Sequence, residues 1–338
     1  MKKGTLLFLL SLVLISCGSK GKDTPTVTPT NLTLSAIVSQ DNSGNVAFTA
    51  SATNAVSYDF DFGNGIFQTV SSGSVTYRYP SSGNYTVRVV AKSAGGQTAS
   101  KSIDISVAVT LALIWSDEFD SPGAPDPAKW GYDIGAGGWG NNELQYYTNR
   151  LENASVSNGT LKIVAKAESY SGSPYTSARL LTKNKFSFKY GKIEVMAKMA
   201  TGLGTWPAAW MLGDNFSSVG WPACGEIDIV EHRGSELNKI FSTLHYTGHS
   251  GGGGIGSTTT ISNATTAFHK YTAEWNSTQI KFSVDDVPFY TFSNNSSLPF
   301  NQNFFVILNL AMGGNFGGSV DPAFSTATME IDYVRIYQ

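Results

Sequence analysis

The stretch GEIDIVEHRG (residues 225–234) places three carboxyl groups within six residues, on Glu226, Asp228 and Glu231. The β-branched residues between them favour a strand over a helix. In a regular strand Glu226 and Asp228 share one face. Glu231 is an odd number of residues from each of them, so it points to the other face. The three acids can therefore face one cleft only if the strand contains an irregularity.

A β-bulge near Ile229–Val230 would provide that irregularity, because one extra residue restores the side-chain parity and bends the strand. Two carboxyl groups brought together in this way suit hydrolysis of a glycosidic bond, which needs one ionised carboxylate and one protonated carboxylic acid. The spacing alone leaves two alternatives open. The acids could be ordinary solvent-facing side chains, or they could form a metal site to which His232 contributes.

Composition restricts the class of protein around this stretch. The chain has 338 residues and a formal net charge of −2, with 41% hydrophobic and 14% charged residues. It has no basic stripe or long acidic run, so neither nucleic acid nor an acidic membrane surface is an implied partner. Short alternating runs separated by Gly, Asn and Ser turns predict an all-β protein, with one domain at 31–108 and a second, of two stacked antiparallel sheets, at 113–338.

The N-terminus has the pattern of a targeting segment, in which two lysines precede a short apolar run that ends in LISC (residues 14–17). LISC resembles a bacterial lipobox, which implies a lipoprotein signal peptide at 1–16 and a lipidated Cys17. Residues 17–30 are polar and contain prolines, which predicts a flexible, extended tether. We therefore expect a protein anchored by lipid in the bacterial cell envelope, at the outer membrane or cell surface. Cys224 then has no disulfide partner and is predicted to be a buried small hydrophobe.

Residues 31–108 resemble a PKD-type immunoglobulin-like domain, a β-sandwich. The resemblance lies in YDFDFGNG (58–65) and in YRYPSSGNYTVRVVAKSAGG (77–96), although Asn64 stands where Asp is usual in that family. All seven tryptophans of the chain lie beyond this block. Because sugar-binding modules rely on exposed aromatic rings, we favour a spacer over a glycan-binding module.

Residues 113–338 resemble the catalytic domain of glycoside hydrolase family 16 in its laminarinase-like form. GEIDIVEHRG matches the bulged active-site motif of that family, and four further segments agree with it in order. These are WSDEFD (115–120), GGWGNNELQYYT (137–148), the segment 177–212 that ends in GTWPAAWML, and LNLAMGGNFGG (308–318).

This resemblance implies a curved β-jelly-roll sandwich and a retaining endo-hydrolase of β-1,3-glucans, with mixed β-1,3/1,4-glucans as further substrates. It implies Glu226 as the nucleophile, Glu231 as the general acid and then base, and Asp228 as a helper of the nucleophile. An algal galactan hydrolase is the alternative among enzymes. A non-catalytic surface glycan-binding protein is the alternative from another class, although a pure binder has no use for a nucleophile and an acid.

The resemblance also implies a set of binding residues and a small number of partners. The substrate-binding residues are Trp206, Trp210, Trp221, Asn141, Arg179 and His245. A structural calcium is implied at Glu118, Gly159 and Asp332, whereas catalysis itself requires no cofactor. We expect a monomer whose partners are a β-glucan and, through Cys17, a membrane.

Overall fold

The computed structural model describes residues 27–338, so the predicted signal peptide, Cys17 and most of the predicted tether lie outside the described residues. The chain divides into two compact units, one built largely from the first seven strands and the other from the remaining strands. Within 27–338 no helix is long and apolar enough to cross a membrane. The predicted boundaries at 16, 30, 108 and 113 stay predictions.

The first unit is an immunoglobulin-like β-sandwich with sheet orders β1-β2-β5 and β4-β3-β6-β7. Phe48, Phe60 and Phe62 fill its core, with ring centroids 5.6 to 6.1 Å apart. Its strands are β1 (Thr30–Val38), β2 (Asn45–Thr53), β3 (Ser57–Asp61), β4 (Phe67–Val70), β5 (Ser74–Arg78), β6 (Gly83–Lys92) and β7 (Thr98–Val107).

The second unit is a jelly-roll sandwich of a ten-stranded and a seven-stranded sheet. Its strands are β8 (Leu113–Asp117), β9 (Gly131–Tyr132), β10 (Gln145–Tyr147), β11 (Ala154–Ser157), β12 (Thr160–Tyr170), β13 (Ser173–Ser177), β14 (Arg179–Leu181), β15 (Gly191–Lys198), β16 (Thr205–Gly213), β17 (Glu226–Glu231), β18 (Lys239–His245), β19 (Ile255–Thr260), β20 (His269–Trp275), β21 (Gln279–Val284), β22 (Val287–Ser293), β23 (Phe304–Met312) and β24 (Thr326–Tyr337).

Helical structure in this unit is limited to single turns between strands. Two are α-helical, α1 (Phe216–Val219) and α2 (Gly314–Gly317), and two are 3-10 turns, Gly138–Gly140 and Gly251–Gly253. The all-β class predicted from the alternating runs is therefore confirmed for both units.

The ten-stranded sheet of the second unit packs one face on the core and leaves the other partly exposed. The ten-stranded sheet has the order β10-β13-β12-β24-β15-β20-β21-β22, with β8 and β11 added beside β24 and β12. Buried and half-buried residues alternate along β24, as they do in a strand with one face on the core. We call this layer the outer sheet.

The seven-stranded sheet, which we call the cleft sheet, has the order β19-β18-β17-β16-β23-β14-β9. Every residue of its central strand β23 (FFVILNLAM) is buried, so both faces of this strand are covered. One face packs on the core between the sheets, which includes Val306, Leu308 and Leu310. Strand β17, which carries the three acids, lies two strands from β23 with β16 between them.

Candidate active site

The predicted bulge is present in β17. On the β16 side Val230 pairs with Ala209 and Asp228 with Trp210, so Ile229 is the extra residue. On the β18 side the register shifts between Asp228 and Glu231. The extra residue returns Glu231 to the face of Glu226 and Asp228, and the parity problem posed by the sequence is resolved as predicted.

A buried hydroxyl secures this bulge. Ser242 Oγ donates to the carbonyl oxygen of Ile229 at 2.7 Å, and both residues are buried. A bulge removes backbone groups from the regular ladder, and a buried carbonyl needs a partner. Ser242 could not be predicted from the sequence, because a serine in a strand reveals neither its hydrogen-bond partner nor its burial.

Indole and hydroxyl groups hold the two glutamates. Trp221 Nε1 donates to Glu226 Oε2 at 2.8 Å, and Trp206 Nε1 donates to Glu231 Oε1 at 3.1 Å. Thr243 Oγ1 lies 3.2 Å from Glu231 Oε2. Two of the three predicted tryptophans, Trp206 and Trp221, therefore touch the acids directly, whereas Thr243 was missed.

His245 is the basic side chain beside the acids. Its Nε2 lies 3.2 Å from Asp228 Oδ2 and 3.8 Å from Glu226 Oε1. One ligand atom from each of these three residues falls within 4.8 Å of the others, a grouping that could hold a metal ion. His232, the ligand considered from the sequence, does not join them, because its Nε2 lies 3.1 Å from the carbonyl oxygen of Leu237.

Burial raises the pKa of all three acids, and repulsion from a neighbouring carboxylate adds to this for Glu226 and Asp228. Burial holds the pKa of Asp228 well above its usual range, and the charge of Glu231 adds to this. Burial also raises the pKa of Glu226 well above its usual range, with Asp228 as the second cause. The pKa of Glu231 rises through burial, opposed by His245 and by the Trp206 and Thr243 hydrogen bonds. Such a cluster retains protons that isolated carboxyl groups would lose at neutral pH.

A second group of cleft residues surrounds Trp210, which is opposite Asp228 on the neighbouring strand. The Arg179 guanidinium lies 4.7 Å from the Trp210 ring centre and 5.1 Å from that of Trp139. Arg179 Nε also lies 3.0 Å from Asp133 Oδ2. A cation between two indole faces is held rigidly, so Arg179 and Trp210 form one preorganised surface.

Asn141 belongs to the same region through Glu143. Its Nδ2 donates to Glu143 Oε1 at 3.4 Å, and its backbone carbonyl oxygen accepts from the backbone N–H of Asn315 at 2.8 Å. Burial raises the pKa of Glu143, a group that the sequence interpretation passed over. The alternation of Glu143, Gln145 and Tyr147 along one strand face was the available signal.

The remaining predicted residues lie elsewhere. Cys224 is a buried free cysteine, as predicted, and burial raises its pKa to about 11. Glu118 accepts two hydrogen bonds from Arg335, at 3.1 and 2.8 Å. Its carboxylate is thus already paired with a cation, and the calcium site implied at Glu118, Gly159 and Asp332 stays a prediction. Between residues 27 and 338 no hydrogen bond or ion pair engages the Asp332 side chain, and Gly159 can offer only its backbone carbonyl.

The jelly-roll sandwich and the acids gathered across a bulge define a glycosidase. Residues 141–335 match the family model of glycosyl hydrolases family 16, and residues 22–107 match that of the PKD domain. The chain therefore belongs to glycosyl hydrolases family 16 and carries a PKD domain before its catalytic domain. Glycosidases of this family need no cofactor for catalysis.

Individual relatives agree with this assignment. The chain is 46% identical to a beta-glucanase of Rhodothermus marinus in an alignment of 242 positions that covers 67% of this chain and 85% of that protein. It is 37% identical to a glucan endo-1,3-beta-glucosidase of Cryptopygus antarcticus, over 66% of this chain and 90% of the relative. The X-ray structure of the laminarinase from Rhodothermus marinus superposes with a TM-score of 0.65 at 47% identity, covering 68% of this chain and 98% of that one.

Proposed function

We propose that the protein is a retaining endo-hydrolase of β-1,3-glucans that also accepts mixed β-1,3/1,4-glucans. The observation that carries this proposal is the bulged strand β17, which gathers Glu226, Asp228 and Glu231 beside indole side chains. Pyranose rings have apolar faces that stack on indoles, and their hydroxyls need fixed polar partners. The identity with a beta-glucanase and a glucan endo-1,3-beta-glucosidase supports the glucan as substrate.

Glu226 is the nucleophile in this proposal. Its Oε2 accepts the Trp221 N–H, a donor that cannot reverse its role and therefore favours the ionised carboxylate. In the first step Glu226 Oε1 attacks the anomeric carbon, the glycosidic C–O bond breaks, and a covalent glycosyl-enzyme forms. His245, 3.8 Å from that oxygen, offsets part of the negative charge of the cluster.

Glu231 is the general acid and then the base. Trp206 occupies Oε1 as a donor, whereas the Thr243 hydroxyl beside Oε2 can rotate, so that it accepts from protonated Glu231 or donates to the ionised form. Glu231 gives its proton to the departing glycosidic oxygen. A water then attacks the anomeric carbon, Glu231 takes a proton from it, and the Glu226 carboxylate is released.

Asp228 holds the remaining proton. It lies between the two glutamates on the same face, and burial and Glu231 hold its pKa well above the usual range. Of the three acids it alone lacks an indole donor. A protonated Asp228 reduces repulsion in the cluster, and it can donate to Glu226 as that carboxylate is displaced from the sugar in the second step.

Product analysis tests this function. The purified full-length protein and its Glu226→Gln variant are incubated with laminarin, mixed-linkage glucan and agarose, and the anomer released first is identified by proton NMR. We expect both glucans to be cleaved with the β-anomer appearing first, agarose to stay intact, and the variant to be inactive. Cleavage of agarose alone would support the galactan alternative, binding without cleavage the glycan-binding alternative, and an initial α-anomer an inverting mechanism.

For the whole chain we propose a monomer anchored through lipidated Cys17, with the PKD domain as a spacer. The support is the LISC sequence at 14–17 and the absence of tryptophan before residue 115. Cells that express wild type or Cys17→Ser are fractionated. We expect wild type in detergent-soluble membrane material with a lipid-sized mass increase, and the variant without that mass. An unmodified wild-type chain would refute the anchor.

A further inference from the structure

Glu143 is a partly enclosed carboxylate that the mechanism above does not use. Gln145 Nε2 donates to its Oε2 at 2.7 Å, and the Tyr147 hydroxyl lies 3.2 Å from the same oxygen. Gln145 and Tyr147 are fully buried, and Gln145 Oε1 accepts the backbone N–H of Met312 at 2.8 Å. The carboxylate is thus built into the fold on one side and faces Asn141 on the other.

A series of hydrogen bonds, which we call the relay, connects Glu143 to the indole of Trp210. Asn309 Nδ2 donates to the Tyr147 hydroxyl oxygen at 3.0 Å, and Trp210 Nε1 donates to Asn309 Oδ1 at 2.7 Å. Asn309 lies on β23, more than 160 residues from Tyr147 in sequence, and is itself buried. The relay therefore runs from β10 to β23 and β16 of the cleft sheet.

The donors and acceptors of the relay have a single order when Glu143 is ionised. A carboxylate can only accept, so the Tyr147 hydroxyl must donate to it, and the hydroxyl oxygen then accepts from Asn309 Nδ2. The Asn309 amide cannot flip, because its oxygen must face the Trp210 N–H. The nearby Arg179 charge favours the ionised form of Glu143, against the effect of burial on its pKa. Arg179 also covers the Trp210 ring at 4.7 Å.

We propose that Glu143 is a positioning residue for substrate: through Tyr147 and Asn309 it fixes the Trp210 ring, and with it the Arg179 surface, against which a glucosyl unit beside the nucleophile binds. Trp210 pairs with Asp228 in the strand register, which places this surface next to the acids. The inference rests on the proposed function only in that a glucan occupies the cleft. The same residues could instead serve only to fasten β10 to the sheet, and the experiment separates the two.

The test compares Tyr147→Phe and Glu143→Gln with Tyr146→Phe. Tyr147→Phe interrupts the relay but keeps the Glu143 carboxylate, and Glu143→Gln keeps the side-chain shape but removes the charge. Tyr146 is the neighbouring tyrosine, half-buried on the opposite strand face with its ring 5.1 Å from Tyr170, and serves as the matched control. Each full-length variant is examined by indole N–H NMR and by steady-state kinetics on laminari-oligosaccharides.

We expect both relay variants to shift the Trp210 indole resonance, which the Trp210→Phe variant assigns. The Trp130 indole, bonded to Asp117 Oδ2 at 2.7 Å, should stay in place and shows that the fold is intact. We also expect KM to rise about tenfold with kcat within about threefold, the pattern of a lost binding interaction. Tyr146→Phe should leave the resonances and the kinetics unchanged.

Three results would overturn the proposal. An unmoved Trp210 resonance in Tyr147→Phe would show that the relay does not hold the ring. Shifts of Trp210 and Trp130 together would mean general loosening, that is, a fastening role alone. A shifted Trp210 resonance with unchanged KM would remove the link to substrate. A wild-type protein that cleaves no glucan would refute the proposed function, whereas the NMR comparison would still decide whether the relay exists.

Discussion

The two sheets of the catalytic domain treat acidic residues in opposite ways. On the outer sheet carboxylates are matched with lysines, at 2.8 Å for Lys192–Glu194, 2.6 Å for Lys198–Glu330 and 2.7 Å for Lys281–Glu274. On the cleft sheet three carboxyl groups face one another with a single histidine among them. These three outer-sheet acids are neutralised by lysines, whereas the three acids of β17 must be neutralised by protons.

This difference separates residues that serve the fold from residues that serve the reaction. A partly exposed ion pair contributes little to stability and also does little harm. A buried group of like charges opposes folding unless it holds protons, and stability is sacrificed there for chemistry. The contrast predicts that substitutions in the cleft sheet change activity strongly, and that some of them improve stability.

The largest effect is expected for the two glutamates. Glu226→Gln and Glu231→Gln keep the side-chain shape but remove the nucleophile and the proton donor, so laminarin hydrolysis should fall by at least about 10⁴-fold. Glu274→Gln, on the outer sheet, is the control and should retain wild-type activity. Initial rates of reducing-end formation measure all three. A Glu226→Gln variant that keeps about a tenth of the wild-type rate would contradict the assignment of Glu226 as the nucleophile.

The next effect concerns Asp228→Asn, which should lower kcat by about 100-fold while making the protein more stable. The folded-state pKa of Asp228 is raised, so its contribution to stability is present below the unfolded pKa and is lost as the pH rises through the folded pKa. The variant has no such loss. Its advantage over wild type should therefore grow with pH from acid toward neutrality, by up to about 1.4 kcal/mol per pH unit.

Urea unfolding of wild type and Asp228→Asn across this pH range measures the effect. Glu274→Gln is again the control, because its parent carboxylate is paired with Lys281 and half-exposed, so it should show no such gain. A difference between wild type and Asp228→Asn that stays constant with pH would mean that Asp228 ionises normally in the folded protein.

The sequence predicted this contrast in part. The odd spacing between Asp228 and Glu231 requires a bulge if the acids share one face, and the resemblance of GEIDIVEHRG to a bulged family motif favoured that arrangement. The bulge lies at Ile229, within the predicted Ile229–Val230. The alternating apolar runs likewise predicted two packed sheets. These features depend on neighbours in sequence, and that is why they could be predicted.

Features that depend on strand pairing could not be predicted from the sequence. Asn309 meets Tyr147, and Ser242 meets Ile229, only because the sheet brings distant strands together. The calcium site implied at Glu118 stays a prediction, but the pairing of its carboxylate with Arg335, far along the chain, was not foreseen. Polar residues are ambiguous in sequence because their partners are chosen by tertiary structure.

Ser242→Ala tests the support of the bulge. It leaves the buried Ile229 carbonyl without its hydroxyl donor, so unfolding free energy should fall by about 1–3 kcal/mol, with a smaller loss of activity. Ser177→Ala, in β13 of the outer sheet, is the matched control, because its hydroxyl is buried and has no hydrogen-bond partner within the described residues. Removing it should be neutral or stabilising. Equal losses for the two variants, by urea unfolding, would show that cavity formation dominates and that the bulge needs no hydroxyl.

The smallest effect should come from Glu330→Gln on the outer sheet. Its partner Lys198 lies at 2.6 Å, but about a quarter of each side chain is exposed, with relative values of 26% and 23%. Solvent screening and the entropy of two long side chains leave such a pair with about 0.5 kcal/mol of stabilisation, which high salt should reduce further. Thermal unfolding at low and high salt, together with an unchanged rate on laminarin, would support this. A loss above about 2 kcal/mol would exceed what a screened pair can supply. The outer ion pairs would then hold the sheet together, and the division between a fold-serving and a reaction-serving sheet would have to be redrawn.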